Sequence, residues 1–337
     1  MLINSLGVDM KKRLARSWHV AAAAIFLIAG PVSAQSFPTK PLRLFTGSGA
    51  GGGADLTARV VADRLGRAFK TQVVVENRPG ATGMVANRLV SDSPPDGYTL
   101  LLQPSSFIAI SPHLNPKEHW DPRTRLSPVI QISSYGLVLA VHPSVPAKSV
   151  KELIDLARRQ SGVLNFASSG IGSNLHIAGE LFKLEAKIKI THVPYRTSPQ
   201  AVTDLIAGRA DFMFGLITVM HPFFQEGRLR ALAVTSLSRN RMLPDVPTVA
   251  EAGLPGLSKF QALSWEGIFA PAGTPPAIVA RLNSEIGKIV DSAEVRKAWE
   301  EKGVDVVLST PEELGKRLDD DYTRIGKLLT DLNLKNF

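Results

Sequence analysis

A glycine-rich segment between a predicted strand and a predicted helix is the first place in the sequence where chemistry could occur. Residues 47–52, Gly-Ser-Gly-Ala-Gly-Gly, follow the predicted short strand Leu42–Thr46 and precede the helical pattern Ala54–Phe69. Exposed backbone N–H groups and the helix dipole suit such a turn to an anion. The segment also fits G-x-G-x-x-G, with Glu76 about 20 residues further on, which is typical of a dinucleotide site. A third interpretation is a tight turn that needs glycine only for its backbone.

A second loop of the same character follows another predicted strand. Residues 168–173, Ser-Ser-Gly-Ile-Gly-Ser, open a helix at Ser173, which also suits a plain helix cap. Ligands in open α/β sheets bind at the carboxyl ends of strands, so two such loops could hold one carboxylate across a cleft. Arg196 follows a further strand and suits either an anionic ligand or a surface loop. The predicted ligand-binding residues are Ser48, Gly51, Gly52, Gly53, Ala54, Asp55, Ser105, Ser106, Ser168, Ser169, Gly172, Ser173, Asn174 and Arg196.

Sequence patterns of catalysis and metal binding are absent. The sequence contains no H-E-x-x-H, no G-x-S-x-G and no cysteine, which excludes thiolate metal sites and cysteine nucleophiles. His176 lies after the serine loop and is interpreted as a structural histidine, with access to the cleft as the alternative. Asp319–Asp321 are successive residues, which diverge by about 100° on a helix, so a solvated acidic face is expected. We therefore predict no catalytic residue, no metal and no cofactor.

The elements that must position the two loops alternate between strands and helices. Leu42–Thr46, Val73–Glu76 and Tyr98–Leu102 are predicted strands, separated by predicted helices at 54–69 and 82–90. This βαβαβ order predicts a parallel sheet with right-handed crossovers. The second half repeats the alternation, with strands at 163–167, 189–195, 211–215 and 229–235 and helices that begin near Ser149, Ser198, Thr274, Ser292 and Thr310.

Length and charge bound the number of domains and the class of partner. Of the 337 residues, those after Ala34 include 35 Lys+Arg and 29 Asp+Glu without a basic block, so nucleic acid is not an expected partner. Roughly 300 residues exceed what one core usually organises, so two domains are expected, with Val129–His142 and Gln261–Ala270 crossing between them. The predicted division is a signal peptide at 1–34, a discontinuous first domain at 35–141 and 259–337, and a second domain at 142–258.

The first 34 residues have the layout of a secretory signal peptide. Basic residues from Lys11 to Arg16 precede the apolar run Val20–Ala29 and the small residues Val32-Ser33-Ala34. A run of about ten apolar residues is short for a bilayer span, which needs roughly 20. We expect cleavage after Ala34 and a soluble periplasmic protein. Such a protein has little access to nicotinamide cofactors, which favours anion binding at Gly51–Asp55 over a dinucleotide site.

Several segments of unusual composition follow one another along the predicted mature chain: Gly51–Asp55 with Ala58-Arg59, Val73–Gly80, Pro95–Leu101, Asn165–Gly170, His192–Tyr195, Leu229–Thr235, Leu243–Gly253 and Ala270–Pro275. In this order and spacing the chain resembles the Bug-type periplasmic solute-binding proteins of tripartite tricarboxylate transporters.

The resemblance implies a periplasmic-binding-protein fold of the α/β class, with two α/β domains joined by a two-strand hinge and a ligand cleft between them. It implies that the loops matching Gly51–Asp55 and Ser168–Asn174 hold a carboxylate through backbone N–H groups, hydroxyls and waters. The expected function is capture of a small organic carboxylate, by a monomer, for delivery to the membrane permease subunits of such a transporter. A ligand-binding partner of a sensor system and an exported carboxylate-processing enzyme are the alternatives.

Two departures from the family pattern concern the ligand. Where the family usually has a proline-rich stretch with a phenylalanine, this sequence has Gly47–Ala50. Where an aspartate often follows the residue matching Phe214, this sequence has Gly215 and then Leu216-Ile217. A carboxylate is lost and apolar surface is gained near the expected cleft. We therefore expect a bulkier or more apolar carboxylate rather than a small polar amino acid.

Overall fold

The computed structural model describes residues 37–114 and 116–331, and the predicted signal peptide lies outside the described residues. The strands are β1 (Leu42–Thr46), β2 (Val73–Asn77), β3 (Thr99–Pro104), β4 (Leu126–Val141), β5 (Asn165–Ser168), β6 (Thr191–Pro194), β7 (Phe212–Leu216), β8 (Arg230–Val234), β9 (Leu263–Pro271) and β10 (Asp305–Val306). The α-helices are α1 (Gly53–Phe69), α2 (Met84–Ser91), α3 (Ser111–Leu114), α4 (Pro122–Arg125), α5 (Val150–Arg159), α6 (Asn174–Glu185), α7 (Ser198–Ile206), α8 (Ile217–Gln225), α9 (Pro276–Val290), α10 (Ala293–Glu300) and α11 (Pro311–Asp331).

The described strands form one mixed sheet in the order β2-β1-β3-β9-β4-β7-β5-β6, and β8 and β10 also pair with β4. β1 is parallel to β2 and β3, as the βαβαβ pattern predicts, and β5 is parallel to β6 and β7. The strand interiors are apolar, and the side chains of Phe45, Phe212 and Phe269 are fully buried. Burying one such side chain contributes about 1.5–3 kcal/mol, so the sheet is a firm support for the loops at its strand ends.

The long strand β4 joins the two halves of this sheet. Its first part pairs with β9 as far as Gly136, and its last part pairs with β7 from Leu137 onwards. β3 and β7 approach this change of partner from opposite directions and end beside it. The carboxyl ends of the parallel strands from both halves therefore meet near the middle of β4, the position at which open α/β sheets bind ligands.

Most predicted element positions are confirmed, and the exceptions have local causes. The bounds of β1 match the prediction, and Ser149 caps α5 by accepting a hydrogen bond from the Glu152 amide at 3.2 Å. The prediction that Ser198 caps α7 was wrong by one residue. Thr197 is the cap and accepts a 3.5 Å hydrogen bond from the Gln200 amide, and Pro199 lies in the first turn, where its missing N–H costs no helical hydrogen bond.

Three elements near the strand ends carry no clear signal in the sequence. Residues Ser106–Ile110 form a π-helical turn directly after β3, where the sequence suggests only a hydroxyl-bearing loop. Helix α8 contains Pro222 in its interior, a residue that normally indicates the end of a helix. Strand β10 is only two residues long. In the described chain no helix is both long and apolar enough to cross a bilayer.

Candidate functional site

The glycine loop before α1 is fixed by the buried carboxylate of Asp55. One oxygen, Oδ2, accepts hydrogen bonds from the Gly51 amide at 2.8 Å and from Arg59 Nε at 3.0 Å. The other, Oδ1, accepts from Asn77 Nδ2 at 2.9 Å, and the same amide group donates to the Ser48 carbonyl at 2.9 Å. Arg59, then Gly51 and Asn77, lower the pKa of Asp55 to about 2 against the opposing effect of burial. The ionised carboxylate therefore holds the loop in shape.

The first backbone amides of α1 come directly after this fixed loop. The first intrahelical hydrogen bond runs from the Leu56 amide to the Gly52 carbonyl at 3.0 Å, so the amides of Gly53, Ala54 and Asp55 precede the regular helical ladder. A Cβ atom added at Gly53 would meet no heavy atom within 4 Å. The helix N-terminus therefore offers donors and open space for an anion. Gly51, in contrast, has a φ of +79° and gives its amide hydrogen to Asp55.

A cavity of about 300 Å³ opens beside Gly53. Its wall combines the start of α1 with the middle of β4, where the strand ends of both halves of the sheet meet. Most of the wall is apolar, and the polar and charged side chains in it are Thr57, Tyr135, Thr218, Glu266 and Lys302. The remaining lining residues are Gly53, Leu56, Val60, Gly136, Leu216, Ile217, Trp299, Gly303 and Val304.

The apolar side of this cavity agrees with one expectation and corrects another. Leu216 and Ile217 line the cavity, as the predicted gain of apolar surface requires. Gly215 is buried within β7, and a Cβ atom placed there would lie 2.4 Å from Met220 Cε. The missing aspartate position therefore faces the Met220 side chain. An aspartate side chain at position 215 would therefore have to displace Met220.

The serine loop before α6 satisfies most of its polar groups internally. The Ser168 hydroxyl accepts a hydrogen bond from the Gly170 amide at 3.1 Å, and the Ser173 hydroxyl donates to the Gly170 carbonyl at 2.8 Å. Ser173 also caps the helix by accepting from the His176 amide at 3.2 Å. The Gly172 amide donates to His176 Nδ1 at 3.1 Å. This network leaves fewer donors for a ligand than the sequence suggests.

His176 is a structural residue of that loop. Its side chain is buried and stacks on His192 with ring centroids 4.0 Å apart. Burial, followed by the neighbouring charges of His192 and Lys183, lowers the pKa of His176 to about 3. The ring is therefore neutral at physiological pH and can accept the Gly172 hydrogen bond. The interpretation of His176 as structural is supported by these contacts.

The sequence patterns give no sign of the contact between Ser168 and His192. The Ser168 hydroxyl lies 2.7 Å from His192 Nε2, a distance compatible with a nucleophile and its base. The serine is fully buried, however, and its hydroxyl also contacts both the amide and the carbonyl of Gly170. Burial of this kind fits a structural contact. Within the described residues no group of three or more His, Asp or Glu side chains has the arrangement of a metal site.

The two loops approach the middle of the sheet at neighbouring positions. Asn174 Nδ2 donates to Ser264 Oγ, which lies 3.4 Å from Ser105 Oγ. Ser264 pairs in register with Tyr135, a residue of the large cavity. Asn174 and Ser105 themselves line a smaller cavity of about 20 Å³. The loops therefore reach adjacent positions but do not line the same cavity.

The predicted site residues thus fall into separate groups. Gly53 lines the large cavity, while Ser105 and Asn174 meet at Ser264. Ser106 is buried at the start of the π-helical turn, and Arg196 is exposed at the end of β6, the outermost strand of its half. The residues engaged chiefly in shaping the two loops are Ser48, Gly51, Gly52, Asp55, Ser168, Gly172 and Ser173.

Sequence reasoning missed the polar residues on the sheet side of the cavity. Glu266 is only 5% exposed, and its Oε2 accepts a hydrogen bond from Ser133 Oγ at 3.1 Å. Burial raises the pKa of Glu266, and hydrogen bonds from Thr57 and Ser133 offset this in part. Burial and then the charge of Glu266 raise the pKa of Tyr135. The available signal was a charged residue between Trp265 and Gly267 in an otherwise apolar strand.

Comparison with known proteins places the chain in a receptor family. The family described as tripartite tricarboxylate transporter family receptor matches residues 57–334. Protein BugT of Bordetella pertussis is 33% identical over 321 residues, covering 94% of this chain and 98% of BugT. The resemblance seen in the sequence motifs is therefore confirmed.

Two solved structures extend the comparison to bound ligands. Rpa4515 of R. palustris, solved with adipate, is 31% identical with a TM-score of 0.74, covering 87% of this chain and 97% of Rpa4515. MatC (Rpa3494) of Rhodopseudomonas palustris, solved with bound malate, is 29% identical with a TM-score of 0.72, covering 87% of this chain and 100% of MatC. These scores confirm the predicted α/β fold of the periplasmic-binding-protein type.

Proposed function

The chain belongs to the tripartite tricarboxylate transporter family of receptors, and from this premise we propose that it captures a small organic carboxylate in the cavity beside Gly53. The observation that carries the proposal is the open start of α1. A loop held by Asp55 leads into Gly53, the first residue of α1, which lies in the wall of a cavity of about 300 Å³. Adipate and malate in the related Rpa4515 and MatC support a carboxylate as the ligand.

Different parts of the cavity recognise different parts of the ligand. A carboxylate at the start of α1 gains charge-assisted hydrogen bonds from amides that are already oriented, together with the positive end of the helix dipole. The apolar side chains of Leu56, Leu216 and Ile217 contact the hydrocarbon part of the ligand. Asp55 contributes by holding the loop. The proposed ligand is a carboxylate with a substantial apolar body.

We further propose that the ligand is enclosed by movement of two domains. The first comprises residues 35–141 and 259–337, and the second comprises residues 142–258. The stretches Val129–His142 and Gln261–Ala270 are the two connections between them, and Tyr135 on the first and Glu266 on the second both line the cavity. Both connections lie next to the proposed binding cavity. Hinge closure is the usual motion of two-domain binding proteins. In this scheme Ser168–Asn174 and Arg196 approach the ligand from the second domain, and Ser105 approaches it from the first.

The proposed location and partners follow from the N-terminal segment and from the family. Residues 1–34 direct export to the periplasm and are removed after Ala34. The mature chain acts as a monomer and presents its ligand to the membrane permease subunits of a tripartite tricarboxylate-type transporter. Intact-mass measurement on periplasmic material tests the first statement, since a mature chain that begins at Gln35 is expected. Recovery of a chain that retains residues 1–34 would contradict it.

A thermal-shift screen tests the proposed function. The panel contains mono-, di- and tricarboxylates, including adipate and malate, and aromatic acids. An acid at 100 times its dissociation constant adds about 2.7 kcal/mol to the free energy of unfolding, which produces a clear rise in melting temperature. A rise with at least one acid is expected. A folded chain that is stabilised by no acid in the panel would contradict carboxylate capture.

A further inference from the structure

Glu266 occupies an unusual position for a charged side chain. It lies in β9, a central strand between β3 and β4, where neighbouring side chains alternate between the two faces of the sheet. Trp265 donates its indole N–H to Asp321 of α11 at 2.7 Å, on one face. Glu266 points to the other face and lines the cavity that also contains Gly53. A carboxyl group therefore forms part of the wall where we propose that a carboxylate binds.

The surroundings of Glu266 contain little to stabilise a negative charge. In the described residues no Lys, Arg or His nitrogen lies within 4.0 Å of its carboxyl oxygens, the distance at which other ion pairs of this chain occur. Its neighbours on β4 are the hydroxyls of Ser133 and Tyr135, and its neighbour on α1 is the hydroxyl of Thr57. An ionised carboxylate that is buried without a cation is costly, and such groups usually take up a proton.

The charged groups on adjacent elements have other partners or are exposed. On α1, Asp55 and Arg59 pair with each other at 3.0 Å. On β10, Asp305 interacts with Arg241 and Glu300. Lys302, which follows α10, lines the cavity with an exposed side chain. Tyr135 lines the same cavity, and the charge of Glu266 helps to raise the pKa of Tyr135. If Glu266 were ionised, a bound carboxylate would thus add a second negative charge to a cavity in which Glu266 has no cationic partner among the described residues.

We propose that Glu266 holds a proton when a carboxylate ligand is bound and donates a hydrogen bond to it, so that the site captures the anion together with one proton. This inference rests on the proposed function, because it assigns a role within the same cavity. The reaction is a protonation equilibrium in which the Glu266 carboxylate gains one O–H bond from a solvent proton. The protonated carboxyl group then acts as a neutral donor opposite the amides of α1. Carboxylic acids kept neutral by an apolar site can act as donors in this way.

The sign of the pH dependence follows from linkage. The raised pKa of Glu266 means that the proton is held at a pH where an exposed glutamate has lost it. Ligand binding that requires this proton is strongest below the midpoint of Glu266 and weakens as pH rises through it. Above the midpoint the apparent affinity falls about tenfold for each pH unit. A ligand that needs an ionised Glu266, such as an ammonium-bearing acid, would show the opposite trend.

Calorimetry on the unsubstituted chain and on two variants tests the inference. Adipate and malate, or the acids that stabilise the chain in the thermal screen, are titrated in two buffers of different ionisation enthalpy between about pH 5 and about pH 9. Above the Glu266 midpoint the unsubstituted chain is expected to take up about one proton for each ligand bound. Glu266→Gln keeps the shape and a neutral N–H donor, so it is expected to bind without proton uptake and with an affinity that changes little with pH. Glu312→Gln, at an exposed position of α11, is the matched control and is expected to behave like the unsubstituted chain.

A ligand-free measurement separates this inference from the proposed function. Carbon-detected NMR titration of the glutamate carboxyl groups, with Glu266→Gln for assignment, gives the Glu266 midpoint directly. A midpoint above that of the exposed glutamates is expected, even if every acid in the panel fails to bind. A midpoint at or below theirs would overturn the inference. Binding without proton uptake above the midpoint, together with loss of binding in Glu266→Gln, would overturn it as well.

Discussion

The glycine loop before α1 and the serine loop before α6 have the same sequence pattern, but their backbone N–H groups have different partners in the folded chain. Both follow a parallel strand, both are rich in small residues, and both begin a helix. The first loop is held by the Asp55 carboxylate, and Gly53 at the start of α1 lines a cavity. The second loop directs its own hydroxyls and the Gly172 amide inward, to Gly170 and His176.

The space around the two loops differs in the same sense. A Cβ atom at Gly53 would meet no heavy atom within 4 Å, whereas one at Gly172 would lie 2.1 Å from Leu114 Cδ1. A small residue before a helix therefore has two separate uses. In one loop it leaves room for a ligand, and in the other it allows one part of the protein to approach another.

The largest effect expected from this comparison is loss of ligand binding in Gly53→Val. The branched side chain fills the space at the start of α1 and blocks about two charge-assisted hydrogen bonds, each worth roughly 1.5–3 kcal/mol, so affinity should fall at least about 100-fold. The melting temperature should change little, because the new side chain meets no neighbour. Calorimetry with the strongest acid of the panel measures the loss.

Gly49→Val is the control for that experiment. It adds the same side chain to the same loop, also in open space, but outside the lining of the cavity. Affinity close to that of the unsubstituted chain is expected. Equal ligand affinity of Gly53→Val and Gly49→Val would show that the start of α1 is not part of the binding site.

The converse substitution, Gly172→Val, should reduce stability. Gly172 has a φ of +77°, a conformation that a β-branched residue adopts only with strain, and the new side chain would also displace Leu114. Strain and overpacking together should lower the free energy of unfolding by about 2–4 kcal/mol. Denaturant unfolding of Gly172→Val and of Gly53→Val compares their free energies of unfolding. Comparable stability of the two variants would contradict the distinction between an open and a packed loop.

A smaller effect is expected for Asp55→Asn, which tests how the open loop is held. The pKa of Asp55 is lowered from 3.8 to about 2, so its ionised form stabilises the fold above about pH 4 and this contribution is lost as pH falls towards 2. The Asp55→Asn substitution should therefore lower the free energy of unfolding by about 2 kcal/mol at neutral pH and by less in acid. Denaturant unfolding at several pH values measures this difference.

Asp63→Asn on the same helix is the matched control, since Asp63 pairs with Arg67 at 2.9 Å on the surface. A change of a few tenths of a kcal/mol is expected there. If the two variants were equally stable at neutral pH, Asp55 would not be the anchor of the glycine loop.

The sequence predicts the local elements well because their signals are local. Leu42–Thr46 is a strand because four of its five residues are apolar or β-branched and a glycine follows, and Ser149 caps α5 because its hydroxyl and Glu152 satisfy the first turn. The position of both loops at strand ends could be predicted for the same reason. The family motifs predicted the overall fold, and the structural comparison confirms it.

The composition of the cavity could not be predicted, since it depends on the register of strands distant in sequence. Glu266 reaches the site of Gly53 because β9 lies between β3 and β4, and neither residue carries a signal of this proximity. Position 215 faces Met220 because successive residues of β7 point to opposite faces of the sheet. The absence of an aspartate from the sequence does not show which face this position occupies. Likewise, the roles of Asp55 and His176 depend on hydrogen bonds that only the folded loops define.

The most direct test of carboxylate capture at the start of α1 compares one acid with its own ester. Adipate, or the acid of the panel that binds most tightly, is titrated calorimetrically against the chain alongside the corresponding fully methylated ester. The amides of Gly53 and Ala54 favour an ionised carboxylate, so the ester is expected to bind at least about 100-fold more weakly than the acid. Equal affinity for the acid and the ester would contradict an anion site at the helix N-terminus.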